Sequence, residues 1–308
     1  MQSPQKTKMD MKNKAKLTSS LLASLALAAC GGGGGDGGNA TPTPTPTPSA
    51  GSASSPSVAS APAPASAPAS SAALNGEPLP SLSSPQSGSA AATGNGVEGI
   101  WVAQSGVDKT TALIDPQGNV SYLDTVAGFG ISQFFGLIAA TSPNWTLTSG
   151  TAFISNFYYP TTSGSGSFVN KQTFTGTYVE NGNTVNLSWN YDAANALAVT
   201  QSSVAGTWAE TGSSLTIASD GTLSGTLSNC PVSGTLLLAT PSSAKNLYTL
   251  SVTGTTASCT LKSGATYSGN AAITFLPITG SNLYVRTIFF MIKTATNTTV
   301  AYGQLTKQ

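Results

Sequence analysis

The sequence has no histidine, only three cysteines, and charged residues at 7% of the total, against roughly 25% in an average soluble protein. Without imidazole, Ser-His-Asp and Cys-His nucleophilic sites are excluded, and so are most zinc sites. There is no CxxC pair to form a redox centre. No glycine loop follows a strand and opens a helix to hold a phosphate. Positive charge is also short. From Cys30 onward seven basic residues stand against ten acidic ones, a net charge of −3. Nucleic acid and anionic membrane surfaces need a dense basic face, so neither is an expected partner.

What is present falls into three kinds of material. Lys6, Lys8, Lys12, Lys14 and Lys16 precede an apolar stretch of 13 residues, Leu17 to Ala29, that ends on small residues before Cys30. A permanent spanning helix needs about 20 residues, so this is a cleavable export signal. Leu27-Ala28-Ala29-Cys30 resembles the lipobox of bacterial lipoproteins. The resemblance implies that residues 1–29 are removed and that Cys30 is lipidated. The chain would then meet the membrane through an N-terminal, palmitate-type lipid anchor. In enteric bacteria an Asp after the Cys retains a lipoprotein in the inner membrane. Gly31 stands there in this chain, which implies the cell outer membrane and leaves periplasmic and surface exposure both open. The run Gly31 to Gly35, with Asp36-Gly37-Gly38, is similar to the Gly-rich start of surface lipoproteins of Gram-negative bacteria.

Residues 30–95 read as a disordered tether. Four Thr-Pro pairs fill 41–48, and Pro56 to Ala73 repeats Ala, Pro and Ser. No apolar period exists there to offset the entropy of ordering. An O-glycosylated stalk and an unmodified spacer are both compatible with this composition.

From Val97 onward short apolar alternations are broken by Gly, Asn, Asp and Pro every 8 to 12 residues, with no sustained helical period. That pattern predicts an all-β fold. Val97-Glu-Gly-Ile-Trp101 matches Val204-Ala-Gly-Thr-Trp208, and Ile114-Asp-Pro-Gln-Gly-Asn-Val120 matches Ile217-Ala-Ser-Asp-Gly-Thr-Leu223. Two tandem antiparallel modules are therefore expected, at 96–203 and 204–308. In both hairpins a three-residue loop ending on a positive-φ glycine, Gly118 or Gly221, puts the flanking apolar residues on one face. The second module divides into eight strands and is expected to form an up-and-down barrel, which leaves no exposed edge. Its Gly-x-Trp opening resembles the first strand of lipocalin-like barrels, in which the Trp plugs one end. In the first module, Val126 to Ala140 reads as one or two buried strands or a short plug.

With Cys30 lipidated, Cys230 and Cys259 remain. They flank the fourth and fifth strands of the second module, near partners across that hairpin, and a disulfide between them is expected in an oxidising compartment. No cofactor and no metal site is expected, and the chain reads as a non-enzyme. The acidic residues Glu98, Asp108, Asp115, Asp124, Glu180, Asp192, Glu210 and Asp220 are not paired by spacing, although a carbohydrate-active carboxylate pair stays open. Trp145, Phe153, Phe157, Tyr158, Tyr159, Trp189 and Tyr191 crowd the first module, either as a binding face or as core packing. Arg286 is the single Arg, either a ligand-binding side chain inside a barrel or a surface one. The function class implied is a lipid-anchored envelope binding module for a protein, glycan or small apolar ligand. The alternative is a structural envelope lipoprotein without a ligand.

Overall fold

The computed structural model describes residues 76–154 and 157–308. The signal segment, Cys30 and the expected tether up to residue 75 lie outside the described residues.

The first barrel consists of β1 (Gly99–Ser105), β2 (Asp108–Ile114), β3 (Asn119–Val126), β4 (Phe129–Thr141), β5 (Asn144–Ile154), β6 (Phe157–Val169), β7 (Thr173–Glu180) and β8 (Asn183–Tyr191). The second consists of β9 (Gly206–Glu210), β10 (Ser213–Ile217), β11 (Thr222–Leu227), β12 (Cys230–Leu238), β13 (Tyr248–Gly254), β14 (Thr266–Pro277), β15 (Tyr284–Thr294) and β16 (Val300–Lys307). Each strand pairs with the next, β1 returns to β8, and β9 returns to β16, so both sheets close. The all-β expectation holds, and the first module is a closed barrel as well as the second.

Local chemistry sets the register. Ile114 faces Val120 and Ile217 faces Leu223. Gly118 and Gly221 close the two loops at φ +84° and +91°, a backbone conformation that costs a residue with a Cβ about 1 kcal/mol or more. The tryptophans of the two opening strands are alike. Both are fully buried, and each indole N–H donates to the carbonyl four residues back: Trp101 to Val97 at 2.8 Å and Trp208 to Val204 at 2.7 Å.

The stretch Val126–Ala140 contains no plug. It is a turn at Ala127-Gly128 followed by most of the single strand β4. The pairing slips between Asp124 and Thr125 and again between Leu137 and Ile138. The first bulge adds Ile131 to β4 and spoils the alternation by which that strand would be recognised, while the second adds Thr148 to β5.

The two barrels pack through their outer faces. Ile100, Leu113, Leu123, Phe135 and Phe153 of the first meet Leu247, Ala272, Phe289 and Met291 of the second, around Ala194 of the connecting turn Ala193–Ala196. Two buried asparagines finish this contact. Asn195 accepts from Ile100 N–H at 2.9 Å and donates to Ile100 C=O at 2.7 Å. Asn246 does the same to Ile273, at 2.9 and 2.7 Å. Each amide thus pairs with both backbone groups of one strand residue inside the molecule, the Ile100 carbonyl also accepting the Asp192 N–H at 3.0 Å.

The tether expectation fails over 76–95. Glu77 exchanges two backbone hydrogen bonds with Tyr284, at 2.9 and 2.8 Å, and its carboxylate grips the Arg286 guanidinium, with Nη2 at 2.8 Å from Oε2. Gln86 N–H donates to Ala196 C=O at 3.0 Å, and its side chain accepts from Ala198 N–H at 2.8 Å. Ser89 caps a single helical turn, α1 (Ala90–Thr93), whose Ala90 and Ala91 are buried. Small side chains pack here because they fit closely against a wall, a property that composition does not reveal.

Candidate functional site

Strand alternation places every second residue of a barrel strand inside. In the first barrel the lower inner layer is aromatic. Trp145, Phe174 and Trp189 form a stack, with centroids 4.9 and 5.1 Å apart and rings within 17° of parallel. The facing pair Gly166 and Gly176 leaves room for it, since a Cβ on Gly176 would lie 2.4 Å from the Trp145 ring. Tyr122 lies over this stack, 5.3 Å from Trp189, and beside Phe134.

Above the rings the lumen becomes polar. Tyr122 OH donates to Tyr178 OH, and Tyr178 OH donates to Glu180 Oε2 at 2.9 Å. Asp124, two residues beyond Tyr122, accepts from Thr110 Oγ1 at 2.6 Å. Burial raises the Asp124 carboxyl above its ordinary value, and the charge of Glu180 raises it further. Burial likewise raises the Tyr122 and Tyr178 phenols, with the nearby carboxylate charges adding to it. Thr161 stands opposite both Glu180 and Gly150 on the inner face. It is buried, and its Oγ1 has no hydrogen-bond partner. No basic side chain shares this inner face among the described residues; Lys109 points outward and lowers Asp192 instead.

The lumen is reached through the closing seam. β1 and β8 are joined at Trp101–Tyr191 and Val102–Asn190. Beyond these pairs a cavity of about 400 Å³ opens, lined from the first three strands by inward residues, among them Ala103, Asp108 and Asp124, and by outward ones, among them Lys109, with Ser188 of β8. The hairpin tips at this end carry Val107, Phe129 and Phe157, which are 65%, 77% and 66% exposed. An apolar rim therefore surrounds an opening that carries Asp108, Asp124 and Lys109.

The second barrel is closed at the same places. Glu210 follows Trp208 by two residues, as Ala103 follows Trp101. Its carboxylate crosses the seam and accepts the Gln304 N–H at 3.0 Å, over a glycine, Gly303, that leaves it space. Burial raises the Glu210 carboxyl. The loop between β13 and β14 folds over the barrel end and buries Leu261 in a core that is mostly aliphatic, with Trp208, Tyr248, Tyr267 and Phe290 among it.

The structure separates the sequence candidates. Trp145, Trp189 and Tyr191 belong to the core and form no binding face, because their strands turn them inward. Phe153 is held in the contact between barrels. Tyr159 faces Ala152 on the inner side, while Tyr158 is exposed on the outer one. Arg286 shares the strand face of Ile288 and Phe290 but is held by Glu77, so it is neither a free surface cation nor an open ligand group.

Cys230 opens β12 and Cys259 follows β13. The expected bridge is not formed in this structure; the two are free thiols. They are nonetheless neighbours. Burial would raise the Cys230 thiol, but hydrogen bonding with Cys259 and Thr260 outweighs it and lowers the value, while Cys259 is raised by the same contact. The β12–β13 register pairs Val232 with Gly254, so strict pairing would put residue 256 opposite Cys230. The following loop brings Cys259 back to it.

Asp124 and Glu180 escaped the sequence reading, yet a signal existed. Tyr122-Leu-Asp124 and Tyr178-Val-Glu180 repeat a tyrosine and an acid at strand spacing, which puts each pair on one face. In comparisons with known proteins, the chain matches no family model, no curated protein and no solved structure.

Proposed function

We propose that this chain is an exported lipoprotein, held at the outer membrane by a lipid on Cys30, whose two-barrel body acts as a binding module through the first barrel. The lipobox-like Leu27-Ala28-Ala29-Cys30 supports the anchor. One observation carries the binding role: the seam of the first barrel opens onto a cavity beside Asp124, where the matching seam of the second is crossed by Glu210. In the oxidising envelope Cys230 and Cys259 join as a disulfide. Cys30→Ser is expected to leave an uncleaved precursor without lipid label, and normal maturation of that variant would remove the anchor. Protease shaving of intact cells decides between the surface and the periplasmic face.

A second reading, glycoside hydrolysis, is favoured by one feature: Asp124 is a raised carboxyl within electrostatic reach of Glu180. Turnover of a nitrophenyl glycoside, lost in Asp124→Asn, would put it in place of the binding role.

A further inference from the structure

We infer that the cleft between the two barrels, on the side where Lys293 reaches Phe135, binds a sugar acid: one carboxylate on a body that carries several hydroxyls. This site is separate from the seam of the first barrel, and the two cavities share no lining residue.

The cleft measures about 590 Å³. Asn270 Nδ2 of β14 donates to the Asn119 carbonyl of β3 at 3.2 Å, and Asn297 Nδ2 of the β15–β16 turn reaches Thr151 Oγ1 of β5 at 3.5 Å. These bonds cross from one barrel to the other and fix the walls, so the cleft is preformed, as small-molecule sites usually are. Two charged residues line it. Asp115 is occupied within its own loop: it accepts the Gln117 N–H at 2.9 Å, the Asn119 N–H at 2.8 Å and Asn119 Nδ2 at 2.7 Å. Lys293 has no such partner. Its ammonium lies 5.8 Å from the Phe135 ring centroid and makes no ion pair among the described residues. Burial lowers it below the ordinary lysine value. A partly desolvated cation without a counter-ion costs free energy, which a bound anion offsets.

Two further atoms decide what else the ligand carries. Ser121 lies on the outer face of β3, between the inward Val120 and Tyr122; it is buried, and its Oγ has no hydrogen-bond partner. Asn297 Oδ1 is likewise buried and unpartnered, its Nδ2 being turned to Thr151. Both residues line the cleft. Buried polar atoms are ordinarily paired. An amide oxygen only accepts, so the atom that meets Asn297 Oδ1 is a donor, whereas the atom that meets Lys293 is an acceptor. A hydroxyl serves Asn297 and Ser121 alike, because it both donates and accepts. The hydroxyls of Ser149, Thr249 and Ser268 on the walls suit the same body. Chloride or a simple carboxylate would neutralise Lys293 and leave Asn297 Oδ1 unpaired.

The test is calorimetric titration of the full chain, kept in detergent, with three probes: sodium glucuronate, glucose and sodium acetate. Glucuronate is expected to bind once per chain, with glucose and acetate each weaker by roughly tenfold, since each lacks one half of the match. Lys293→Met keeps the length of the side chain and removes its charge. It should weaken glucuronate by roughly tenfold, while Lys293→Arg retains binding. Ser121→Ala should weaken it roughly threefold. Asn297→Asp suits the positive φ at this position, adds a negative charge to the cleft and should abolish binding. Asp220→Asn, on an exposed turn of the second barrel, should change nothing. Glucose bound as tightly as glucuronate would overturn the role of the charge, and acetate bound as tightly would overturn the hydroxylated body. Undiminished glucuronate binding by Lys293→Met would take the ligand out of this cleft. No heat from glucuronate at millimolar concentration would remove the sugar-acid site and leave the seam of the first barrel untouched as a binding site.

Discussion

In the first barrel the layer above the closing tryptophan is a stack of rings, and above that a ring of oxygens around an opening. In the second the core is mainly leucine, isoleucine and valine, with Tyr248, Tyr267 and Phe290 among them, up to a loop that covers the end. Strand order and closing geometry are shared, so these differences come from few positions. Ala103 against Glu210 decides whether the seam is open. Turns against the Cys259–Leu261 loop decide whether the end is covered. The seam of the first barrel is therefore left open by the absence of a side chain that closes it in the second. The shared outer faces couple the two.

The comparison can be broken or sharpened by measurement. The largest effect is expected from the closing tryptophans: Trp101→Ala and Trp208→Ala should each cost about 3–5 kcal/mol in denaturant unfolding. The first should cost more, because Phe174 and Tyr191 beside Trp101 are rigid rings that cannot collapse into the vacancy as aliphatic neighbours do. Equal losses would show that the filling of the barrels does not matter at that level. Next comes oxidation of Cys230 and Cys259, which should add about 3–4 kcal/mol in the chain-entropy description. Hydrogen exchange should show the added protection concentrated in β12, β13 and the covering loop; protection spread equally over the first barrel would contradict a local staple.

A smaller effect is expected at the seam. Glu210→Ala leaves the Gln304 N–H without its partner, a loss of about 1 kcal/mol or somewhat more. Faster exchange at that amide alone is the expected sign, and an unchanged rate would mean that Glu210 does not close the second barrel. The smallest effect is on pH dependence. Burial raises Asp124, Asp192 and Glu210, so the folded chain holds these protons more tightly than the unfolded one. Stability should then rise as pH falls from neutral through the folded values, and the gain is complete below the unfolded carboxylate range. Asp220, lowered by the Thr222 N–H, opposes this only at more acid pH. The melting midpoint is expected to increase by on the order of a few degrees between pH 7 and 5, and to increase less in Asp124→Asn. A midpoint that falls over this range would count against desolvated carboxylates.

Much of the fold was legible because it is written locally. The glycines at 118 and 221 set two loops, and the apolar alternation of the second module counted out the eight strands of its barrel. What was illegible is written across the chain. β4 hid behind a bulge at Ile131 and behind apolar residues on both faces, Phe134 inside and Phe135 in the contact between barrels. Asp124 and Glu180 become neighbours only once β1 has met β8. Residues 76–95 look like linker because the side chains that pack there are small. Asn195 and Asn246 read as turn residues, and nothing near them in sequence indicates which backbone groups they satisfy.

The bond between Glu77 and β15 has a mechanical consequence. A pull on the chain from upstream of residue 76 reaches Tyr284 and Arg286 before it reaches β1. The second-to-last strand thus bears a load applied at the opposite terminus, and the chain between residue 77 and β1 stays slack while that clasp holds. Releasing it requires two backbone hydrogen bonds and a forked ion pair to part together. Until they do, traction from upstream of residue 76 leaves the first barrel, with its open seam, undeformed.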